Sequence, residues 1–214
     1  MIGLGKTIQI IALLAALLKK TGTGLDVLEL KRRRLRIAEI KRAIEDDLRC
    51  GKIVQRDIRS EAGLPAWSPV LLVVPPTLCR HWEDDLTKWG HFTVATMKSG
   101  CNKARELEKI SNGEAEILIC ARSLFHDTAL LEVDWKLVVI DEFHSLFKNV
   151  KGKLSYCLRK LKLRISGKVI GLTGTLMQNN HEELWNLVDL VEEGLLQTWI
   201  DFKESFADPI KFSR

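Results

Sequence analysis

Gly5-Lys6-Thr7 stands at the head of a helix-like run, and that triplet in that place is the chemistry of phosphate binding. In a G-x-x-x-x-G-K-[ST] loop the backbone N–H groups and the helix dipole attract phosphates. The Lys reaches the β and γ oxygens, and the hydroxyl holds Mg²⁺. Counting back from Gly5, the first Gly of that pattern falls one position before Met1, so the chain begins inside the loop. Alone, the triplet also occurs by chance.

A second group of reactive residues lies far downstream. Asp141-Glu142 directly follow the apolar run Leu137–Ile140. Two acids at a strand end suit nucleotide chemistry: the first can orient Mg²⁺ and the second can polarise an attacking water. Such a pair also serves simply to cap a following helix. His144 can relay the state of a γ-phosphate to a neighbouring strand end, or be structural. Thr173 and Thr175, beyond another apolar run, place hydroxyls at the same sheet edge, where an ordinary turn is the alternative.

These residues need a frame that brings strand ends together. Four short apolar runs supply it: Val70–Val74, Glu116–Cys120, Lys136–Asp141 and Lys168–Leu172. Continuous rather than alternating, they read as central strands covered on both faces. Helical patterns separate them at Arg80–Trp89, with Trp82, Leu86 and Trp89 on one side, and at Lys103–Ser111, Leu154–Leu163 and Glu182–Val191, the last with Asn180 as its N-cap. Strands alternating with helices predict an α/β fold with a parallel sheet. In such sheets, sites form beyond the carboxyl ends of the strands.

The opening run Gly5–Lys20 is apolar nearly all round, which predicts a helix buried against the sheet. Thr21-Gly22-Thr23-Gly24 stops it. From Leu28 to Arg59 the sequence is dense in charge, with Ile37, Ile40, Ile44 and Leu48 as a narrow stripe. This predicts an amphipathic surface helix inside a charged insertion over 28–62. Its Lys31–Arg34 run could touch phosphates or be a solvated face. Gly63–Pro69 is a connector.

Composition narrows the function classes. The 214 residues carry a net charge of +5, which permits a nucleic-acid partner without requiring one. Five scattered cysteines, none in C-x-x-C spacing, argue against a disulfide framework and a zinc ribbon. The apolar run Ile8–Leu18 is too short to span a bilayer. It reads poorly as an export signal because Lys19-Lys20-Thr21 follows it and no A-x-A cleavage pattern is present. An unrelated P-loop GTPase is disfavoured by the lack of an N-K-x-D tetrad.

Taken in order, "GLGKTIQ", "VVPPTLCRHWEDDLTKW", "VVIDEFH" and "LTGTLMQNNHEELW" resemble motifs I, Ia, II and III of the Swi/Snf helicase-like ATPases of helicase superfamily two. The matches run from Met1 to about Trp185. The stretches "DDLTKWGHF" and "FKESFADPIK" are most similar to the excision-repair, Cockayne-syndrome-B-like branch, especially its ERCC6-like 2 type.

The resemblance implies a RecA-like P-loop lobe, the first of two, in an ATP-driven double-stranded DNA translocase, with ATP and Mg²⁺ as cofactors. Partners would be double-stranded DNA and chromatin or repair proteins, and the location the nucleus. Lys6 would bind the β- and γ-phosphates, Gly3 and Gly5 would shape the loop, and Thr7 and Asp141 would hold Mg²⁺. Glu142 would activate water. His144, Thr173, Gly174, Thr175 and Gln178 would couple hydrolysis to DNA movement. Pro75, Thr77, Arg80, Asn179 and Asn180 would lie near a DNA-facing or interlobe edge.

There are departures from the family pattern. Phe143 is bulky within the DEAH-like tetrad. Ala121 follows Cys120 where the family has Thr-Tyr, so that DNA contact is not carried over. The chain ends shortly after motif III, without the second lobe and its arginine finger, so the isolated chain is expected to be poorly active. The rival expectation is a non-catalytic module that binds DNA or protein.

Overall fold

The structure, a computed structural model, describes residues 5–53, 56–146, 152–175 and 181–212. Gly3, Gln178, Asn179 and Asn180, expected to act at the site, lie outside the described residues.

Five strands form one sheet: β1 (Val70–Val74), β2 (Val94–Met97), β3 (Ile117–Ala121), β4 (Leu137–Ile140) and β5 (Lys168–Gly171). Their order is β2-β3-β1-β4-β5, and every pairing is parallel. The chain also forms helices α1 (Lys6–Leu17), α2 (Gly24–Arg49), α3 (Ile58–Glu61), α4 (Cys79–Gly90), α5 (Lys103–Ser111), α6 (Phe143–Leu146), α7 (Lys153–Lys162), α8 (His181–Val191), α9 (Trp199–Phe202) and α10 (Asp208–Phe212). The α/β architecture predicted from the alternating pattern is therefore present.

Alternate side chains of each strand face opposite ways, and this builds two cores. On one face Val70, Leu72, Val74, Ile117, Ile119, Leu137 and Val139 meet Ile10, Ile11 and Leu14 of α1 and Trp82 and Leu86 of α4. On the other, Leu71, Val73, Leu118, Cys120, Val138 and Ile140 meet Ile110 of α5, Leu158 and Leu161 of α7, and Leu187 and Leu190 of α8. Cys120 is a core residue, as its apolar setting predicts, and burial pushes its thiol pKa up.

Several expectations are corrected. β5 is not a central strand: it is the sheet edge among the described residues and is only partly buried. α1 buries a single face and leaves Ile8 and Leu13 exposed, so it is not enclosed all round. Trp89 is exposed, whereas Trp82 and Leu86 on the same helix are buried. α2 begins at Gly24 rather than Leu28, because the Thr23 hydroxyl accepts from Leu25 N–H and caps it. Within its stripe Ile37 is buried but Leu48 is exposed.

The Lys31–Arg34 run is not a purely solvated face, although Lys31, Arg32 and Arg34 are exposed. Arg33 turns inward and pairs with Glu116, which also takes Lys20 at 2.9 Å. Both cations and the carboxylate are almost fully shielded, and Glu116 further accepts from Thr93 N–H and Oγ1. This cluster pins α1 and α2 to the start of β3, at the end of the sheet away from the strand carboxyl ends.

Close packing fixes β5 against the segment that follows β4. Phe143 N–H donates to Leu172 O at 2.8 Å. A Cβ on Gly171 would lie 2.8 Å from the Phe143 ring. The bulky residue of the tetrad is thus seated on a glycine. Gly171→Ala is expected to destabilise the fold by about 1–3 kcal/mol through overpacking. Denaturant unfolding measures this, and an unchanged midpoint would show that the ring relocates freely.

Candidate active site

The carboxyl ends of β1, β4 and β5 open onto one edge, and the N-terminus of α1 points into it. Gly5 caps α1 with φ +65°, a left-handed conformation that glycine adopts at no steric cost. Among the described residues no side chain caps this helix, and no acid lies in its first turn. Its first N–H groups and the positive end of its dipole are therefore available to an anion. Thr7 lies in that first turn.

Lys6 crosses from α1 to the end of β4. Its Nζ is 3.2 Å from Glu142 Oε1, and both side chains are about one-third exposed. A Cβ on Gly174 would sit 3.7 Å from the same Nζ, so the segment after β5 runs beside it. Glu142 has φ +49°, an uncommon conformation for a residue with a side chain, which turns its carboxylate out of the strand line.

A chain of polar contacts continues toward β5. His144 Nδ1 lies 3.5 Å from Glu142 Oε2 and 2.7 Å from Thr173 Oγ1. The single Thr173 hydroxyl hydrogen is directed to Thr175 O at 2.8 Å, and the oxygen accepts from Thr175 N–H at 3.1 Å. With the Thr173 hydroxyl hydrogen used on Thr175 O, the tautomer consistent with this contact has His144 Nδ1–H donating to Thr173 Oγ1. Lys6, Glu142, His144 and Thr173 thus form one continuous line from α1 to β5.

Asp141 sits deeper, 6% exposed. Its Oδ1 accepts from Glu142 N–H at 2.9 Å, and its Oδ2 from the Trp82 indole N–H at 3.1 Å. Both donors are neutral, and among the described residues no cation pairs with this carboxylate. A buried carboxylate without a cation is costly, so the donor set fits a metal ion. Among the described residues no cluster of three or more His, Cys, Asp or Glu could hold a metal. Mg²⁺ keeps several waters and is commonly bound by one or two carboxylates plus substrate phosphates, a role that one carboxylate such as Asp141 can fill.

The remaining predicted residues occupy a neighbouring stretch of the same edge. Pro75 ends β1, and Thr77 lies in the short helical turn Pro76–Leu78. Arg80, in the first turn of α4, is highly exposed, with only a 3.9 Å approach to Asp84. They do not touch the Lys6–Thr173 line.

Two residues escaped the sequence reading. Trp82 was legible only as an apolar helix position, yet it donates to Asp141. Arg122 follows β3 directly and donates to Ser145 Oγ at 2.8 Å, while Ser145 Oγ donates to Glu142 O. Its position after a strand end was the signal that could have found it.

Residues 2–213 match the SNF2-related domain. The chain belongs to that family. It is 32% identical over 211 residues to the DNA excision repair protein ERCC-6-like 2 of Mus musculus, covering 98% of this chain and 12% of that protein. It is 32% identical over 214 residues to Switch 2 of Arabidopsis thaliana, covering 99% of this chain and 20% of that protein. Among solved structures it is similar to the Sulfolobus solfataricus SWI2/SNF2 ATPase core in complex with dsDNA, with a TM-score of 0.61 and 25% identity over 99% of this chain and 34% of that one. The fold is therefore that of the RecA-like ATPase core of SNF2 proteins, and this chain spans a fifth or less of those two curated relatives. Among the described residues no helix is long and apolar enough to cross a membrane.

Proposed function

We propose that this chain is the first RecA-like lobe of an ATP-driven double-stranded DNA translocase, of the excision-repair, Cockayne-syndrome-B-like branch. The observation that carries the reading is the convergence of Lys6, Glu142, His144 and Thr173 with buried Asp141, which pairs with no cation among the described residues, at the start of α1. Gly3 and Gly5 shape the loop. Lys6 and the α1 N–H groups bind the β- and γ-phosphates, and Thr7 and Asp141 hold Mg²⁺. When bound, Mg²⁺ neutralises charge on the phosphate oxygens.

Lys6 pairs with Glu142 at 3.2 Å. A γ-phosphate competes for Lys6 and releases the Glu142 carboxylate to orient water. His144 senses that release, since it lies between Glu142 and Thr173, and Thr173 passes it through Thr175 to Gln178. Gly174 leaves room for Lys6 in this line. Pro75, Thr77 and Arg80 lie near a DNA-facing or interlobe edge, and Asn179 and Asn180 are assigned to the same role from the motif alone. The dsDNA bound to the Sulfolobus solfataricus core and the kinship with a mouse DNA excision repair protein support duplex DNA and chromatin or repair proteins as partners, and the nucleus as the location.

Limited proteolysis tests the nucleotide part. Mg-ATP is expected to slow cleavage of the wild-type chain, and Lys6→Ala is expected to abolish that protection. Equal protection of both proteins would contradict the reading. DNA binding indifferent to nucleotide and to Lys6→Ala would instead favour a non-catalytic module.

A further inference from the structure

Trp82 is 1% exposed and has one polar atom, the indole N–H, which can only donate. A buried indole normally finds an acceptor. Here the acceptor is the one buried carboxylate of the site, Asp141, 59 residues further along the chain. The second Asp141 oxygen is held by the Glu142 amide. A carboxylate tied at both oxygens by donors on different elements has its plane fixed. One donor belongs to the turn after β4. The other belongs to α4, packed on the sheet face that carries α1.

We propose that Trp82 is a positioning residue for the metal-holding carboxylate: its indole N–H sets the orientation of Asp141, so the seat of α4 on the sheet governs metal binding. The inference rests on the reading of Asp141 as an Mg²⁺ ligand. α4 is also the helix whose first turn exposes Arg80 and which follows the Pro75–Thr77 turn. A ligand that shifts this helix from its exposed start acts on Asp141 through a rigid ring two residues from Arg80. Of the buried α4 side chains in this core, Cys79 turns its thiol to Pro75 O and Leu86 carries no polar group, so the indole makes this link.

The test compares wild type, Trp82→Phe and Leu86→Ala, each saturated with a non-hydrolysable ATP analogue. Mn²⁺ uptake is read from the electron paramagnetic resonance of the free ion. Loss of a partner that orients a metal ligand predicts Mn²⁺ affinity lowered on the order of tenfold in Trp82→Phe. Affinity for the analogue without metal stays at the wild-type level, and Leu86→Ala keeps wild-type Mn²⁺ affinity despite its cavity. Wild-type Mn²⁺ affinity in Trp82→Phe, or an equal loss in Leu86→Ala, would overturn the proposal and leave Trp82 a packing residue. A reading in the unsubstituted protein stands beside these. Among six tryptophans, the Trp82 indole N–H resonance is expected to shift when Mg²⁺ joins the analogue complex, and an unmoved resonance would likewise overturn the proposal. A wild-type chain that takes up no Mn²⁺ with the analogue overturns the nucleotide reading, and this inference with it.

Discussion

Glu116→Gln is expected to lower the unfolding free energy by about 3–5 kcal/mol, because it leaves buried charges unpaired. The Glu116 side chain is fully shielded, and Lys20 and Arg33 beside it are 4% and 8% exposed. Gln keeps the volume and can still accept from Thr93, but it cannot balance two cations. The loss is large against the 5–15 kcal/mol of a typical domain. Burial pushes the Glu116 pKa up, but Lys20 and Arg33 outweigh it and hold the carboxyl below its usual range. A carboxyl lowered in the folded state stabilises it above the unfolded pKa of about 4.3. That contribution is lost as pH falls through the lowered folded value. The wild-type advantage over Glu116→Gln should therefore be full at neutral pH and shrink below about pH 4. Denaturant unfolding across pH measures it. A difference under about 1 kcal/mol at neutral pH, the worth of an exposed pair, would show that the cluster is solvated.

Glu142→Gln is expected to separate binding from hydrolysis. Removing a positioned general base costs about 10²–10⁴ in rate. Nucleotide affinity should persist or tighten, since Lys6 is no longer held by a carboxylate 3.2 Å away. Gln occupies the same left-handed backbone position as Glu, so the rate loss would not come from relieved strain. Single-turnover hydrolysis with duplex DNA and protein in excess is the appropriate measurement. An unchanged rate would remove Glu142 from the chemistry. A parallel loss of nucleotide affinity would make it a structural partner of Lys6.

Much of this arrangement was legible because burial on both faces leaves a local mark. The apolar runs of β1, β3 and β4 announced themselves, and the acids behind β4 stood where a parallel sheet collects its site. β2 (Val94–Met97) left no such mark. It is an edge strand among the described residues, it has four residues, and half of them are only partly buried. β5 read as central because its residues are apolar, yet burial depends on neighbours that a local pattern does not reveal.

The inward turn of Arg33 was equally hidden. Its partner Glu116 is 83 residues away, and a run of four basic residues gives no sign of which one is enclosed. Trp82 shows the same limit at the site. Helical spacing correctly placed it on the buried face but said nothing of what its N–H would meet.

On the proposed function, the carboxyl edge of this sheet binds nucleotide through a metal held by Asp141. Calorimetric titration of the chain with ATP, with and without Mg²⁺, for wild type and Asp141→Asn tests it most directly. Mg²⁺ is expected to tighten ATP binding to the wild type, and Asp141→Asn is expected to erase that gain while keeping the metal-free affinity. ATP binding that is absent in the wild type, or that gains equally from Mg²⁺ in both proteins, would contradict the claim.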